Sequence, residues 1–169
     1  MLWKIAWDIL PTSSTLAIRI QSIDSMCVHC NAQNETILHL FTKCPFAQTI
    51  WLSTSWPIHI DRLPFTSPVD LVRLILNPCS ILHLQPLEAP LFTLLASIIC
   101  DHLWFHWNKL RKSTTPISPS PPSPQSPLAL GRDISRIFIQ QQKAWENTYI
   151  HNKISPHQSW SLPPLVGTK

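Results

Sequence analysis

Three cysteines and one histidine within eighteen residues constrain this chain more than any other feature of its sequence. Cys27, Cys30, His39 and Cys44 follow a C-x2-C-x8-H-x4-C pattern. Three thiolates and one imidazole form the ligand set of a structural zinc site, which is tetrahedral and leaves no position open for water. The pattern therefore predicts a small Zn-binding module in which Cys27 and Cys30 bind the metal from one turn. We expect His39 and Cys44 to reach the same metal from a helical segment.

The spacing between His39 and Cys44 predicts a break in that helical segment. Residues five apart are rotated by about 140° on a straight α-helix, so the two side chains could not face one metal. Pro45 supplies the break, because the residue before a proline is pushed out of helical geometry. Proline also suits the first position of a helix. We therefore predict that Cys44 lies at the N-terminus of a helix beginning at Pro45, where the helix dipole favours a thiolate.

The composition and the other cysteines favour a mostly α-helical, intracellular protein of the nucleus or cytoplasm. The 169 residues include only 2 glycines, which argues against tight hairpins, phosphate-binding loops and dinucleotide folds. Five cysteines are an odd number and no signal peptide precedes them, which disfavours a disulfide framework and secretion. We expect Cys79 and Cys100 to be inert core thiols. His29 could compete as a ligand, but a solvated turn residue is the favoured interpretation.

Helices are predicted on both sides of the cysteine turn. Residues 2–10 are nearly all apolar and indicate a mostly buried helix, and Thr12 or Ser13 can cap a second one. Residues 69–76 indicate a short amphipathic helix, and residues 91–110 a long apolar one. A membrane span is the alternative for the long helix, but Asp101, His102 and His106 interrupt a run that would need about 20 apolar residues. We therefore predict a buried core helix and no membrane.

The stretch from Ser113 to Pro127 contains six prolines and five serines in fifteen residues, which predicts a disordered linker. A PxxP ligand for another protein is formally present there, but a plain linker is favoured. After Gly131, Asp133 can cap an amphipathic helix. The predicted organisation is a zinc-binding domain at 1–56, a helical extension packed on it at 57–112, the linker at 113–130, the amphipathic helix at 131–150 and coil at 151–169.

The sequence does not support an enzyme. Four protein ligands leave no place for a metal-bound water, and the 9 acidic residues are too scattered to hold the metals of a polymerase or nuclease. The net charge of +4 forms no dense basic stripe, so nucleic-acid binding is only weakly predicted. Its candidates are Lys109, Arg111 and Lys112. A surface for an unknown protein partner is a further hypothesis for Trp51, Trp56, Trp104 and Trp107, although filling of the core is the favoured role.

Four stretches resemble the reverse transcriptase zinc-binding domain that follows the polymerase in plant LINE-type (non-LTR) retrotransposons. They are L-W-K-I-A-W-D-I-L-P-T, C-V-H-C, E-T-I-L-H-L-F and C-P-F-A-Q-T-I-W. The resemblance is close over residues 2–56 and implies zinc as the cofactor. The family's motif residues fall here on Trp3, Lys4, Leu10, Pro11, Thr12, Cys27, Cys30, Glu35, Thr36, His39, Leu40, Phe41, Cys44, Pro45, Ala47 and Trp51.

Two weaker resemblances extend the first one. Residues 103–112 resemble a W-x-x-W-x-x-R segment that follows the zinc region, and the final S-W-S-L-P-P-L-V-G-T-K resembles the lead into an RNase H-like domain. The resemblance implies a fragment that lacks both polymerase and RNase H. The resulting hypothesis is a structural, non-catalytic zinc-binding module derived from a retrotransposon. The alternatives are a weak nucleic-acid-binding or protein-interaction module, and a degenerate gene remnant without selected function.

Overall fold

The computed structural model describes residues 1–113 and 125–154, and the side chains of residues 1–111 and 125–148. This part of the chain is mostly helical, which confirms the predicted fold class, and it contains no β-strand. One isolated antiparallel bridge joins Met26 to Asn34. The elements are α1 (Leu2–Ala6), α2 (Ser13–Arg19), a π-helical turn (His39–Lys43), α3 (Pro45–Ser53), a 3-10 turn (Ile60–Arg62), α4 (Pro68–Leu76), α5 (Cys79–Leu82), α6 (Ala89–Ser113) and α7 (Pro127–Ile154).

The first helix is shorter and more exposed than the sequence predicts. Helix α1 ends at Ala6, and Asp8 then adopts a left-handed backbone conformation with φ of 52°. A helix of this length turns few side chains inward. Ile5 is fully buried, whereas Trp3 and Trp7 are 58% and 76% exposed. The prediction of a mostly buried helix over residues 2–10 is therefore wrong. The second helix, α2, begins at Ser13, and its N-cap is Thr12, one of the two predicted caps, although the Thr12 side chain makes no capping hydrogen bond.

Helices α3, α4, α6 and α7 build one apolar core with α1. Helix α3 packs against α7, α6 packs against α4 and α7, and α1 packs against α4. Trp56 meets Phe92 of α6 and Phe138 of α7 edge to face, with ring centroids 6.3 Å apart in each pair. The residues after position 57 thus share a core with the N-terminal segment. Its fully buried side chains include Ile50, Trp51, Leu71, Leu74, Ile75, Phe92, Ile99, Leu103 and Ile134.

Helix α6 contains the span Ala89–Arg111, which is long and apolar enough to cross a membrane by length and composition alone. In the structure, 39% of the most apolar 18-residue stretch of this helix is buried inside the molecule. The expected absence of a membrane stays a prediction. Cys100 lies on the buried face of α6, and burial raises the pKa of its thiol to about 12, in keeping with an inert core residue. Cys79 is only half-buried.

Helix α7 differs from the predicted helix at both ends. It begins at Pro127, inside the predicted linker 113–130, and ends at Ile154, beyond the predicted 131–150. Ser126 starts it, because the Ser126 carbonyl accepts the Leu130 N–H at 3.0 Å and proline suits the first turn. Gly131 therefore lies within the helix, against Ser53 of α3. Residues 114–124 of the linker and residues 155–169 of the predicted coil lie outside the described part of the chain.

Candidate metal centre

The four predicted ligands converge on one point. Their ligand atoms all lie within 4.8 Å of one another. The Cys27 and Cys44 sulfurs are 3.8 Å apart, and the Cys30 sulfur lies 3.3 Å from His39 Nε2. A tetrahedral zinc with its usual bond lengths places two sulfurs about 3.8 Å apart and a sulfur and a nitrogen about 3.5 Å apart. The cluster therefore has the dimensions of a zinc site.

A short hairpin positions the first two ligands. The Cys27 N–H donates to the Gln33 carbonyl at 2.9 Å, next to the Met26–Asn34 bridge. The Asn31 N–H donates to the Cys27 carbonyl at 2.8 Å. Asn31 has a left-handed backbone conformation with φ of 50°, which asparagine tolerates. The turn is closed by these bonds, so Cys27 and Cys30 point to the same side.

A π-helical turn positions the third and fourth ligands. The Cys44 N–H donates to the His39 carbonyl at 2.7 Å, an i to i+5 hydrogen bond that closes one wide turn over His39–Lys43. His39 and Cys44 consequently lie one turn apart and on the same side. The sequence correctly predicts that the helical segment ends between His39 and Cys44, and the structure adds that its last turn is π-helical.

Pro45 acts as predicted. Cys44 has an extended conformation (φ −67°, ψ 130°) and is the N-cap of α3, with Pro45 at the first helical position. The Cys44 carbonyl accepts the Gln48 N–H at 2.9 Å, which begins the helical hydrogen bonds. The Cys44 sulfur thus lies at a helix N-terminus, where partial positive charge stabilises a thiolate.

Residues 1–51 match the family model described as zinc-binding in reverse transcriptase. The match and the four-ligand cluster together support a reverse transcriptase zinc-binding domain in this segment. The match ends at Trp51, close to the predicted end of the domain at residue 56. No curated protein and no solved structure matches the chain significantly.

The zinc-binding domain holds its histidine through a residue that the sequence does not reveal. His39 Nδ1 lies 3.1 Å from Gln33 Oε1. A carbonyl oxygen can only accept, so Nδ1 carries the proton and Nε2 keeps its lone pair towards the sulfurs. Such outer partners of a histidine ligand fix its tautomer and raise its basicity. The pattern of Cys and His residues contains no signal for Gln33, because glutamine is common in exposed turns.

The ligands of the metal centre are largely shielded from solvent. Cys27 and Cys44 are fully buried and His39 is 4% exposed, while Cys30 is half-buried. In the absence of metal, the hydrogen bond with Cys44 and then burial raise the pKa of Cys27 to about 12. The same hydrogen bond lowers the pKa of Cys44. Cysteine binds zinc as the thiolate, so metal binding by this domain releases protons.

His29 is not the solvated turn residue that the sequence predicts. Its ring stacks on Phe46 at 4.3 Å between centroids and on His106 of α6 at 5.4 Å. Burial lowers the pKa of His29 to about 4, with the neighbouring histidines contributing in the same direction. The ring is therefore neutral at pH 7. His29 is not part of the four-ligand cluster found among the described residues.

The weak nucleic-acid candidates are only partly available on the surface. Lys109 is exposed, but Arg111 donates from Nη1 to Ser13 Oγ at 2.7 Å and lies 5.1 Å from the centroid of Trp107. The side chain of Lys112 lies outside the described residues. The tryptophans considered for a protein partner belong to the core, since Trp51 and Trp107 are buried and Trp56 and Trp104 pack against the buried cluster.

Proposed function

We propose that this chain is a structural, non-catalytic zinc-binding module derived from a LINE-type retrotransposon reverse transcriptase. The observation that carries the proposal is the convergence of all four protein ligands within 4.8 Å. A zinc held by three thiolates and one imidazole is coordinatively complete, so it has no position at which to activate water. The LINE-type and plant origin rests on the sequence resemblance over residues 2–56.

The local structure supports a structural role for the metal. The ligands come from a hairpin with a single bridge, a five-residue π turn and the first turn of α3. Segments this short are unstable alone, because nucleating a helical turn or an isolated hairpin costs more than its few hydrogen bonds return. A shared metal would fix all three against one another, and structural zinc sites contribute on the order of 10 kcal/mol to folding.

Metal analysis of the full chain tests this proposal. We expect one zinc per chain after purification without chelators, and four-coordinate thiolate-rich absorption after replacement by cobalt. A chain that retains no zinc would contradict the zinc-binding role. A five- or six-coordinate cobalt spectrum would contradict the closed, non-catalytic site while leaving metal binding intact.

Single-stranded nucleic acid is the second candidate ligand, and one surface of α6 favours it. Phe105 is 69% exposed and lies one helical turn from the exposed Lys109. Both line a cavity of about 470 Å³ with Asp101, Trp104 and Asn108. Aromatic rings next to a lysine side chain suit single-stranded nucleic acid, because the rings can stack on nucleobases and the ammonium group attracts phosphate. The carboxylate of Asp101 opposes a phosphate.

Binding of labelled single-stranded RNA at increasing salt tests this second function. If it is correct, affinity should fall with salt, and Phe105→Ala should weaken binding by about 1–3 kcal/mol, the usual contribution of one stacked base. Leu128→Ala, which removes an exposed apolar side chain from α7, is the control. Equal binding by both variants, or binding that ignores salt, would exclude this surface as a nucleic-acid site.

A further inference from the structure

Glu35 is a fully buried acidic residue beside the metal centre, and it is not one of the four ligands. Its Oε1 accepts hydrogen bonds from the Ser13 N–H at 2.8 Å and the Ser13 hydroxyl at 2.7 Å. Its Oε2 accepts the Val28 N–H at 3.3 Å. Val28 lies inside the turn that carries Cys27 and Cys30. The side chain therefore joins the start of α2 to the peptide unit that orients two ligands.

The same network reaches the end of the long helix α6. The Ser13 hydroxyl that donates to Glu35 accepts a hydrogen bond from Arg111 Nη1 at 2.7 Å, across 98 positions of sequence. The Arg111 guanidinium is also held over the ring of Trp107. A charged donor thus belongs to the chain of hydrogen bonds that begins at the cysteine turn. Hydrogen bonds with ionised partners are about twice as strong as neutral ones.

A second contact joins the same two regions. His106, one turn before Leu110 on α6, is 5% exposed and stacks with His29 and with Phe46 at the start of α3. The C-terminal part of α6 therefore meets the cysteine turn both through hydrogen bonds and through stacked rings. A turn that changed its conformation on losing the metal would disturb both contacts.

We propose that Glu35 is a positioning residue of the metal centre, and that the network Val28–Glu35–Ser13–Arg111 couples zinc binding to docking of the C-terminal end of α6. The inference rests on the proposed zinc site. Glu35 holds the Val28 peptide in the orientation that presents both cysteine sulfurs to the metal. Because coupling is reciprocal, Arg111 strengthens zinc binding without touching the metal, and zinc strengthens the docking of α6.

Zinc affinity of the full chain, measured by competition with a chelator, tests the first half of the proposal. Outer partners of metal ligands typically contribute 10- to 100-fold to affinity, so we expect Glu35→Gln to weaken zinc binding about tenfold or more. Ser13→Ala and Arg111→Ala should weaken it about fivefold. Arg111→Lys, which keeps the charge, should recover part of the loss. Glu146→Gln on α7, an exposed residue, is the matched control and should bind zinc like the unmodified chain.

Hydrogen exchange tests the coupling itself, which a purely structural role of Glu35 would not produce. In the unmodified chain, zinc should slow amide exchange at residues 107–113 of α6. In Arg111→Ala this effect of zinc should be lost, while zinc still slows exchange in the cysteine turn. Adding Arg111→Ala to Glu35→Gln should weaken affinity little further, because both substitutions break one network.

The possible failures are distinct. If the unmodified chain binds no zinc, the proposed function fails and the inference fails with it. If that chain binds zinc but Ser13→Ala and Arg111→Ala bind it within about twofold of the same affinity, the coupling is overturned and the zinc site stands. Should Glu35→Gln not fold, the milder Ser13→Ala and Arg111→Lys variants decide between these outcomes.

Discussion

The zinc-binding domain and the helices that follow it are stabilised in different ways. Around the metal centre, the elements are a single bridge and a five-residue π turn, and hydrogen bonds and four ligands add to the buried apolar side chains of Leu40 and Phe41. The later helices α6 and α7 have 25 and 28 residues and pack through apolar side chains. The first region therefore depends on a ligand that the chain does not supply, and the second on surface buried between its own elements. Helix α3 belongs to both, since its N-terminus holds Cys44 and its side packs against α7.

Removing a ligand should separate the two regions most strongly. Because zinc supplies on the order of 10 kcal/mol in sites of this type, we expect Cys44→Ser to leave residues 27–51 unfolded even with zinc present. Amide hydrogen exchange should become fast in that segment and remain slower in α6 and α7. Cys79→Ser makes the same chemical change outside the cluster and should leave both regions protected. Complete loss of protection in α6 and α7 would show that the regions unfold as one unit.

A cavity in the apolar region should have the converse effect. Phe92 is fully buried in α6, and truncation of a buried phenylalanine costs about 3–5 kcal/mol. Phe92 lies fourteen residues of helix, about 21 Å, from His106, which contacts the zinc-binding domain. We therefore expect Phe92→Ala to lower the free energy of unfolding and to leave the zinc affinity of the folded protein unchanged. Phe105→Ala, on the same helix but 69% exposed, is the control and should change stability little. A matching loss of zinc affinity in Phe92→Ala would mean that the core and the centre are not separable.

The sequence predicts the metal centre better than the surfaces around it, and the reasons are physical. The spacing of Cys27, Cys30, His39 and Cys44 fits metal binding, and proline fits few backbone conformations. The ligands and the helix start at Pro45 can therefore be predicted from the local sequence. The π turn cannot be predicted in this way, because a single backbone hydrogen bond, from the Cys44 N–H to the His39 carbonyl, defines it and the residue types do not encode that bond. His29 and Gln33 acquire their roles from neighbours on other segments, which no local pattern encodes.

Gly131 shows the same limit in the apolar region. Glycine commonly marks a helix boundary, and the sequence accordingly places a boundary there. In the structure Gly131 lies within α7, where a Cβ would overlap the Ser53 hydroxyl and come 3.1 Å from Ser53 Cβ. The residue is explained by the close approach of α3, which is a tertiary contact between positions 78 residues apart (131 − 53).

Filling that contact tests the docking of α7 on the shared helix α3. Alanine improves helix propensity over glycine by about 1 kcal/mol, but overpacking a tight contact costs about 1–3 kcal/mol. We expect Gly131→Ala to be destabilised by about 1 kcal/mol in thermal or urea unfolding. Adding Ser53→Gly removes both clashing atoms and should recover the loss in that contact. A single Gly131→Ala variant more stable than the parent chain would show that α7 can move away from α3 without cost.

The smallest expected effect concerns the start of α4, which lies between the two regions in sequence. Asp70 Oδ2 accepts hydrogen bonds from the Thr66 and Ser67 N–H groups at 3.0 and 2.9 Å, and its carboxylate forms a capping box with Ser67. These bonds, the Thr66 N–H first, hold the pKa of Asp70 well below its usual range. The group therefore contributes stability above its unfolded pKa of about 3.9 and loses it as the pH falls through the folded value.

Asp70→Asn should accordingly lower Tm slightly at pH 7, since the amide accepts fewer and weaker hydrogen bonds. The difference in Tm from the unmodified chain should stay constant from pH 7 to about pH 5 and shrink below about pH 4. Comparing the two chains at each pH cancels the acid release of zinc, which is common to both. Arg73→Ala removes only an exposed ion pair with Asp70 and should have almost no effect. A Tm difference that already shrinks between pH 7 and pH 5 would place the titration in the metal centre, and α4 would then depend on zinc as the cysteine turn does.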